Sequence, residues 1–203
     1  MAYSNFTLNK VKKELGIKIE EKINLFAAVE PVKPSEVLIT TLAETVPLAL
    51  AINTEKARSE LIITPLLLEI RRRKNQQISL FSGVDLNVDF AQGLNGYCDF
   101  ILSLSPEQLT IEAPIMIIIE AKNENLTGGL GQCIATMVAA QLFNQQEGNN
   151  IPIIYGAVTT GDIWKFLQLI NNEVMIDLSN FYIQDVGKIL GVLSLAIQIK
   201  SNL

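Results

Sequence analysis

The clearest hydrophobic pattern in the chain is the run from Ile115 to Ile119, which is followed by Glu120-Ala121-Lys122. Five consecutive apolar residues, most of them β-branched, predict a strand that is buried on both faces. Because successive side chains of a strand point to opposite faces, Glu120 and Lys122 should share one face. Two interpretations of this charged end stay open: a solvated strand end, or a metal ligand beside a cation.

The remaining elements follow from the same periodicities. The pattern predicts helices over residues 8–15, 35–50, 55–74, 130–145 and 185–199, and strands over 78–89, 97–104, 115–122, 151–158, 164–170 and 174–178. Residues 17–30 stay ambiguous. Thr7, Ser35 and Thr54 are the expected N-caps. Pro65 should kink its helix or split it at Thr64.

The order of these elements predicts an α/β protein with a mixed central sheet flanked by helices. The strand over 151–158 follows a helical crossover and should lie parallel to a neighbour, whereas the earlier strands should be antiparallel. Residues 164–170 and 174–178 should form a hairpin around Asn171-Asn172-Glu173. The polar stretch 123–131 is predicted to be a glycine-bearing loop, which we interpret mainly as a flexible turn before the next helix.

The amino-acid composition bears on the cellular location of the protein. The chain has 203 residues, 49% of them hydrophobic, but no run of roughly 18 uninterrupted apolar residues that a membrane span requires. The nearest stretch, 37–52, contains Thr40, Thr41, Glu44 and Thr45. The N-terminus has no basic segment followed by an apolar one. We therefore expect a soluble cytoplasmic protein that makes no membrane contact.

The composition also limits the kinds of catalytic and metal-binding site that the chain can form. The sequence has no histidine and only two cysteines, Cys98 and Cys133, which excludes Ser-His and Cys-His pairs, histidine-ligated metals and a zinc site. Carboxylates, lysine, hydroxyls and hard metal ions remain. The net charge of -5 argues against a nucleic-acid partner, but 12 of the 16 basic residues precede residue 75. The run Arg71 to Lys74 could contact phosphates or simply end a helix favourably.

Two acidic positions connect this order to a known family. Asp99 lies within the strand Gly96–Leu102, and Glu120-Ala121-Lys122 ends the next strand. In this element order they resemble the PD-(D/E)xK nuclease superfamily, whose restriction-endonuclease-like core is αβββαβ. The resemblance implies a nuclease-like domain over residues 54–203 and an N-terminal helical extension over 1–53. No proline precedes Asp99, where the family pattern has one; Tyr97-Cys98 stands there instead.

The resemblance also implies the site residues. Asp99, Glu120 and the carbonyl of Ala121 would hold Mg²⁺, with Mn²⁺ as a substitute, and Lys122 would activate a water. Residues 57–70 are similar to the first nuclease helix of type I restriction-enzyme motor subunits, which makes Glu60 an auxiliary catalytic acid and Glu55 its competitor. Gln132 matches a polar residue on the helix that follows. Residues 155–166, with Thr159-Thr160-Gly161 before Trp164, resemble the end of the fold in several restriction-like families.

The sequence is therefore compatible with three functions. The first is a Mg²⁺-dependent nuclease, an endonuclease or exonuclease, that hydrolyses phosphodiester bonds of nucleic acid, with DNA as the expected partner. The second is a catalytically inactive module of the same fold that binds nucleic acid or protein. The third is a regulatory or structural homodimer that uses the apolar helix over residues 35–50 as its interface. Fold alone does not separate them.

Overall fold

The computed structural model of the chain describes residues 2–198. The strands are β1 (Lys18–Lys22), β2 (Ser79–Asp85), β3 (Tyr97–Ser103), β4 (Ile115–Ala121), β5 (Ile154–Thr159), β6 (Ile163–Ile170), β7 (Glu173–Asp177) and β8 (Phe181–Tyr182). The helices are α1 (Leu8–Glu14), α2 (Glu36–Ile52), α3 (Glu55–Arg58), α4 (Thr64–Arg73), α5 (Leu126–Gln146) and α6 (Val186–Ala196). Short 3₁₀ turns lie at Tyr3–Asn5 and Ile183–Asp185.

All eight strands belong to one mixed sheet in the order β1-β7-β6-β5-β4-β3-β2, with β8 beside β6. The central β4 pairs parallel with β5 and antiparallel with β3, as the sequence predicted. Every residue of β4 is buried, because helices cover both faces of the sheet. One apolar cluster lies under α2, α4 and α6, and the other under α5 and α1. The predicted α/β fold is confirmed; the narrower restriction-endonuclease-like core stays a prediction.

The segment 1–53, predicted as a helical extension, contains the helices α1 and α2 and in addition the strand β1. β1 pairs in parallel with β7, with Lys18 opposite Glu173 and Lys22 opposite Asp177. Tyr3 is fully buried, and its hydroxyl donates a hydrogen bond to the carbonyl of Leu86 at 2.6 Å. The first 53 residues are therefore part of the same sheet and core as the rest.

The predicted loop over residues 123–131 is wrong from Leu126 onward, where α5 already begins. The Asn125 side chain caps the helix by accepting a hydrogen bond from the amide of Gly128 at 3.0 Å. A Cβ at Gly131 would lie 2.4 Å from the carbonyl oxygen of Phe6. This glycine therefore allows close packing of the N-terminal segment on α5, and does not serve as a flexible hinge.

The predicted helix over 55–74 stays helical but is irregular. Between α3 and α4 the chain makes a π-helical turn, Ser59–Ile63, and α4 begins at Thr64, where Pro65 predicted a split. Thr54 caps the start through the amide of Ala57 at 3.1 Å. The last helix ends at Ala196; the predicted helix end at residue 199 and the domain end at 203 lie outside the described residues.

Helix α5 is the longest helix of the described chain and its length and composition would suffice to cross a membrane. It packs on β4 and β5, and 56% of its most apolar stretch is buried there. Burial of this kind is also found in the core helix of a globular domain, so the composition of α5 is weak evidence for a membrane span.

Candidate active site

The predicted site lies where β3 and β4 separate. The ladder between these strands has Phe100 opposite Ile119 as its last pair on this side. Beyond it, the amide of Ala121 donates a hydrogen bond to Oδ2 of Asp99 at 2.8 Å, where a regular ladder would have a backbone carbonyl. The Asp99 carboxylate is thus fixed against the backbone of the Glu120-Ala121-Lys122 segment.

Glu120 and Lys122 lie on one side of this strand end, as the alternation of β4 predicted. The ammonium of Lys122 donates a hydrogen bond to Oε1 of Glu120 at 2.5 Å, and it lies 3.5 Å from Oε1 of Gln132. The Glu120 side chain is 2% exposed and that of Lys122 is 24% exposed. The amide of Lys122 continues the ladder to β5 by donating to the carbonyl of Thr159 at 2.8 Å. The structure therefore brings together Asp99, Glu120, Lys122 and Gln132.

Burial governs the protonation of the two carboxyls. Desolvation raises the pKa of Glu120 to about 8; the negative charge of Asp99 adds to the rise, and Lys122 opposes it through its charge and its hydrogen bond. Burial also raises the pKa of Asp99, against the hydrogen bond from the Ala121 amide and the charge of Lys122. Burial alone would lower the pKa of Lys122, but the contact with Glu120 outweighs it and the pKa is raised. Two close carboxyls with raised pKa values form a site that is stabilised by a further cation.

The donor set fits a hard divalent ion. Within residues 2–198 no group of three or more Asp, Glu, His or Cys side chains is placed to hold a metal ion. The site itself contains two carboxylates, those of Asp99 and Glu120. Mg²⁺ is commonly held by one or two carboxylates and keeps several waters, which suits this pair. Ala121 is 1% exposed and its amide is engaged by Asp99. The metal contact of its carbonyl stays a prediction.

The two competing helix acids, Glu55 and Glu60, both line a cleft together with Asp99. The charge of Glu55 adds to the raised pKa of Glu120, after the larger effects of burial and of the Asp99 charge. Glu60 instead forms an ion pair with Lys56 at 2.8 Å, one turn away on the same helix, and its side chain is 59% exposed. Glu60, the acid carried over from the family pattern, therefore lies at the rim of the site.

An open cleft of about 260 Å³ leads to Asp99 and is lined by Glu55, Lys56, Ser59, Glu60 and Tyr97, among others. Tyr97 begins β3, two residues before Asp99, and is 58% exposed. No role was predicted for Tyr97 from the sequence. The available signal was strand alternation, which places positions 97 and 99 on the same side of a strand.

The Thr159–Trp164 motif forms a structured turn that holds α3. The guanidinium of Arg58 donates to the carbonyl of Thr160 at 2.8 Å and to Oδ1 of Asp162 at 2.6 Å. Its other terminal nitrogen donates to Oδ1 of Asn53 at 3.0 Å. Trp164 Nε1 closes the turn by donating to the carbonyl of Gly161 at 2.8 Å. Because α3 also carries Glu55, this turn fixes one wall of the cleft.

The basic run at the end of α4 makes mainly structural contacts. Arg73 donates to the buried carboxylate of Glu69 at 2.9 Å, and Arg72 lies 3.5 Å from the same carboxylate. Arg71 donates to the carbonyl of Ile78 at 3.2 Å. These bonds favour the interpretation of the run as a charged helix C-terminus over a phosphate-binding site.

Comparison of the chain with protein-family models, with curated proteins and with solved structures found no match in any of the three.

Proposed function

We propose that the chain is a divalent-metal-dependent nuclease that hydrolyses phosphodiester bonds of nucleic acid, with DNA as the expected substrate. The observation that carries the proposal is the buried Asp99–Glu120 pair beside Lys122, at the end of the central strand. The element order α4-β2-β3-β4-α5-β5 supports a restriction-endonuclease-like core as part of this proposal, since it follows the αβββαβ pattern.

Each residue of the site would have its own role in this chemistry. Asp99 and Glu120, with the carbonyl of Ala121, would hold Mg²⁺, for which Mn²⁺ can substitute. A bound Mg²⁺ supplies Lewis acidity and makes a coordinated water easier to deprotonate. Lys122 holds a positive charge at Oε1 of Glu120, where it can orient a water and stabilise charge that develops on a phosphate. Gln132 offers the ammonium a second, weaker contact at 3.5 Å.

The decisive experiment measures cleavage of single-stranded, duplex and branched DNA and RNA in Mg²⁺. Lys122→Ala should lower kcat by roughly 10²-fold, because the ammonium acts on the water and on charge that develops in the transition state. Metal affinity should be nearly retained in this variant. Glu120→Ala should lose metal binding and activity together. Glu55→Gln should lower kcat, whereas Glu60→Gln, on the same helix, serves as its matched control and should change it little.

Two results would contradict this function. Absence of Mg²⁺-dependent cleavage of every substrate by the wild-type protein would favour the catalytically inactive module of the same fold. Cleavage that survives both Lys122→Ala and Glu120→Ala would come from a contaminating enzyme, and the assignment would then fail.

A second candidate function, the homodimer, is favoured by α2. Five of its large apolar side chains are between 38% and 59% exposed: Val37, Ile39, Leu48, Leu50 and Ile52. Val37 and Leu48 are 11 positions apart, as are Ile39 and Leu50, so each pair lies within about 20° on the helix surface. Exposed apolar side chains that cluster on one element commonly mark an interaction surface. We propose that α2 would be covered by a second copy of the chain.

A further inference from the structure

Tyr97 offers a supported aromatic surface beside the carboxylates. It begins β3 and lines the cleft together with Asp99 and Glu55. Across the sheet Tyr97 pairs with Asp85, and its ring reaches Gly83, two positions earlier in β2, whose φ of +67° most residues avoid. A Cβ at Gly83 would lie 2.3 Å from Oη and 3.2 Å from Cζ of Tyr97. The phenol end therefore rests directly on the Gly83 backbone, while 58% of the residue remains exposed to solvent.

One cationic side chain, that of Lys56, lies in the same cleft. Lys56 is in the cleft wall, and its pKa is raised, first by its hydrogen bond to Glu60 and to a smaller extent by the Tyr97 hydroxyl. The Lys56 side chain is 82% exposed, so it can turn towards a phosphate at little cost. The cleft, at about 260 Å³, lies just below the roughly 300–1,000 Å³ of pockets for drug-sized ligands. Its size is close to that of a single nucleotide, and Lys56 is the one cation among the cleft residues, which also include the carboxylates of Glu55, Glu60 and Asp99.

We propose that Tyr97 is a stacking platform for an unpaired nucleobase, so that the cleft takes single-stranded nucleic acid in preference to intact duplex. The inference rests on the proposed nuclease function and names its substrate class. An aromatic ring stacks on any of the bases, because every base has a π-face. In a duplex those faces are covered by neighbouring pairs, and a base must leave the stack before it can reach such a ring.

The test is binding without turnover. Fluorescence anisotropy should compare a single-stranded oligonucleotide, an abasic strand of equal length and charge, and the corresponding duplex, all with Lys122→Ala protein in Mg²⁺. Adding Tyr97→Ala should weaken single-strand binding by about 5- to 150-fold, the usual effect of losing one stacked base. Tyr97→Phe, which keeps the ring, should stay within about threefold of its parent. Binding of the abasic strand should be weak and insensitive to Tyr97.

Three results would overturn the inference: unchanged binding in Tyr97→Ala, equal losses in Tyr97→Phe and Tyr97→Ala, or tighter binding of duplex than of single strand. Tyr97→Leu keeps apolar bulk without a ring and replaces Tyr97→Ala if that variant does not fold. The two proposals fail separately. Tyr97-dependent binding without any cleavage by the wild type would contradict the nuclease function only. Duplex cleavage that does not depend on Tyr97 would contradict the stacking role of Tyr97 only.

Discussion

The buried carboxyl of Glu120 dominates the electrostatics of the site at the scale of single residues. Only 2% of its side chain is exposed, although it stands at the end of a strand, where charge is normally solvated. With a pKa of about 8, this carboxyl is largely protonated at neutral pH when no metal is bound. Metal binding would then release a proton, so the apparent metal affinity should increase with pH.

Glu120→Gln should flatten the dependence of stability on pH in metal-free protein. The pKa of Glu120 is about 8 when folded and about 4.3 in an unfolded chain, so its favourable contribution is fully present below pH 4 and is lost as pH rises through 8. Wild-type protein should therefore lose stability between pH 5 and 8, on the order of a few kcal/mol, relative to Glu120→Gln. Thermal unfolding in EDTA across this range measures the difference.

Glu60→Gln is the control for this measurement, because Glu60 is exposed and paired with Lys56 in the same cleft. The plot of stability against pH for Glu60→Gln should run parallel to that of the wild type. Parallel curves for wild type and Glu120→Gln would show that Glu120 is ionised in the metal-free protein.

At the scale of elements, the contact between α3 and the β5–β6 turn fixes the geometry of the cleft. Arg58 is 9% exposed, and its terminal nitrogens donate hydrogen bonds to Thr160, Asp162 and Asn53. Its Nε is buried and has no partner. A guanidinium in this position is stabilised only while its acceptors remain, because an unpaired buried charge is costly.

Asp162→Ala should lower the free energy of unfolding by about 2–4 kcal/mol, since it leaves Arg58 without its carboxylate. In the double variant with Arg58→Met the charge is gone as well, so the combined loss should be at least about 1 kcal/mol smaller than the sum of the single losses. Urea unfolding of the wild type, the two single variants and the double variant gives this coupling energy.

Lys56→Gln is the control, because it breaks an exposed ion pair on the same helix, and it should lower the free energy of unfolding by less than about 1 kcal/mol. Additive losses in the double variant would mean that the Arg58–Asp162 ion pair contributes nothing specific.

Local sequence signals predicted the elements that depend on local physics. The caps at Thr7, Ser35 and Thr54 are confirmed, since each side chain accepts a bond from an amide three residues ahead. The parallel pairing of β5 and the hairpin of β6 and β7 are confirmed as well. Periodicity sufficed for these because a cap or a core strand needs no distant partner to be recognised.

Features that depend on distant partners were missed. β1 reads Lys-Ile-Glu-Glu-Lys, a charged pattern that is typical of edge strands and gives little strand signal. The glycines at the start of α5 resemble a loop until the packing of Gly131 on Phe6 is known. In the site, the alternation of β4 predicted that Glu120 and Lys122 share a face, whereas Asp99 was implied only by the family resemblance. The role of Arg58 could not be predicted, because its partners are about a hundred residues away.

At the scale of the whole molecule, the exposed apolar surface of α2 bears on assembly. If a second copy covers it, the wild-type protein should be a dimer at micromolar concentration, and Val37→Lys with Leu48→Lys should convert it to a monomer, because buried lysines without partners are costly. Light scattering after size-exclusion chromatography reports the mass. Leu109→Lys is the control, since Leu109 is 93% exposed and lies outside α2. A wild-type monomer at tens of micromolar would exclude the dimer.

The pairing of β1 with β7 has a consequence for protein synthesis. Lys18 and Glu173 are 173 − 18 = 155 positions apart. At a translation rate of roughly 5–20 residues per second, β1 leaves the ribosome roughly 8 to 30 seconds before its partner is made. During that time its backbone amides and carbonyls have no strand to pair with, so the sheet edge is completed only after β7 emerges. A ribosome that stalls within α5 would therefore hold a nascent chain in which β1 is unpaired, a substrate for chaperones.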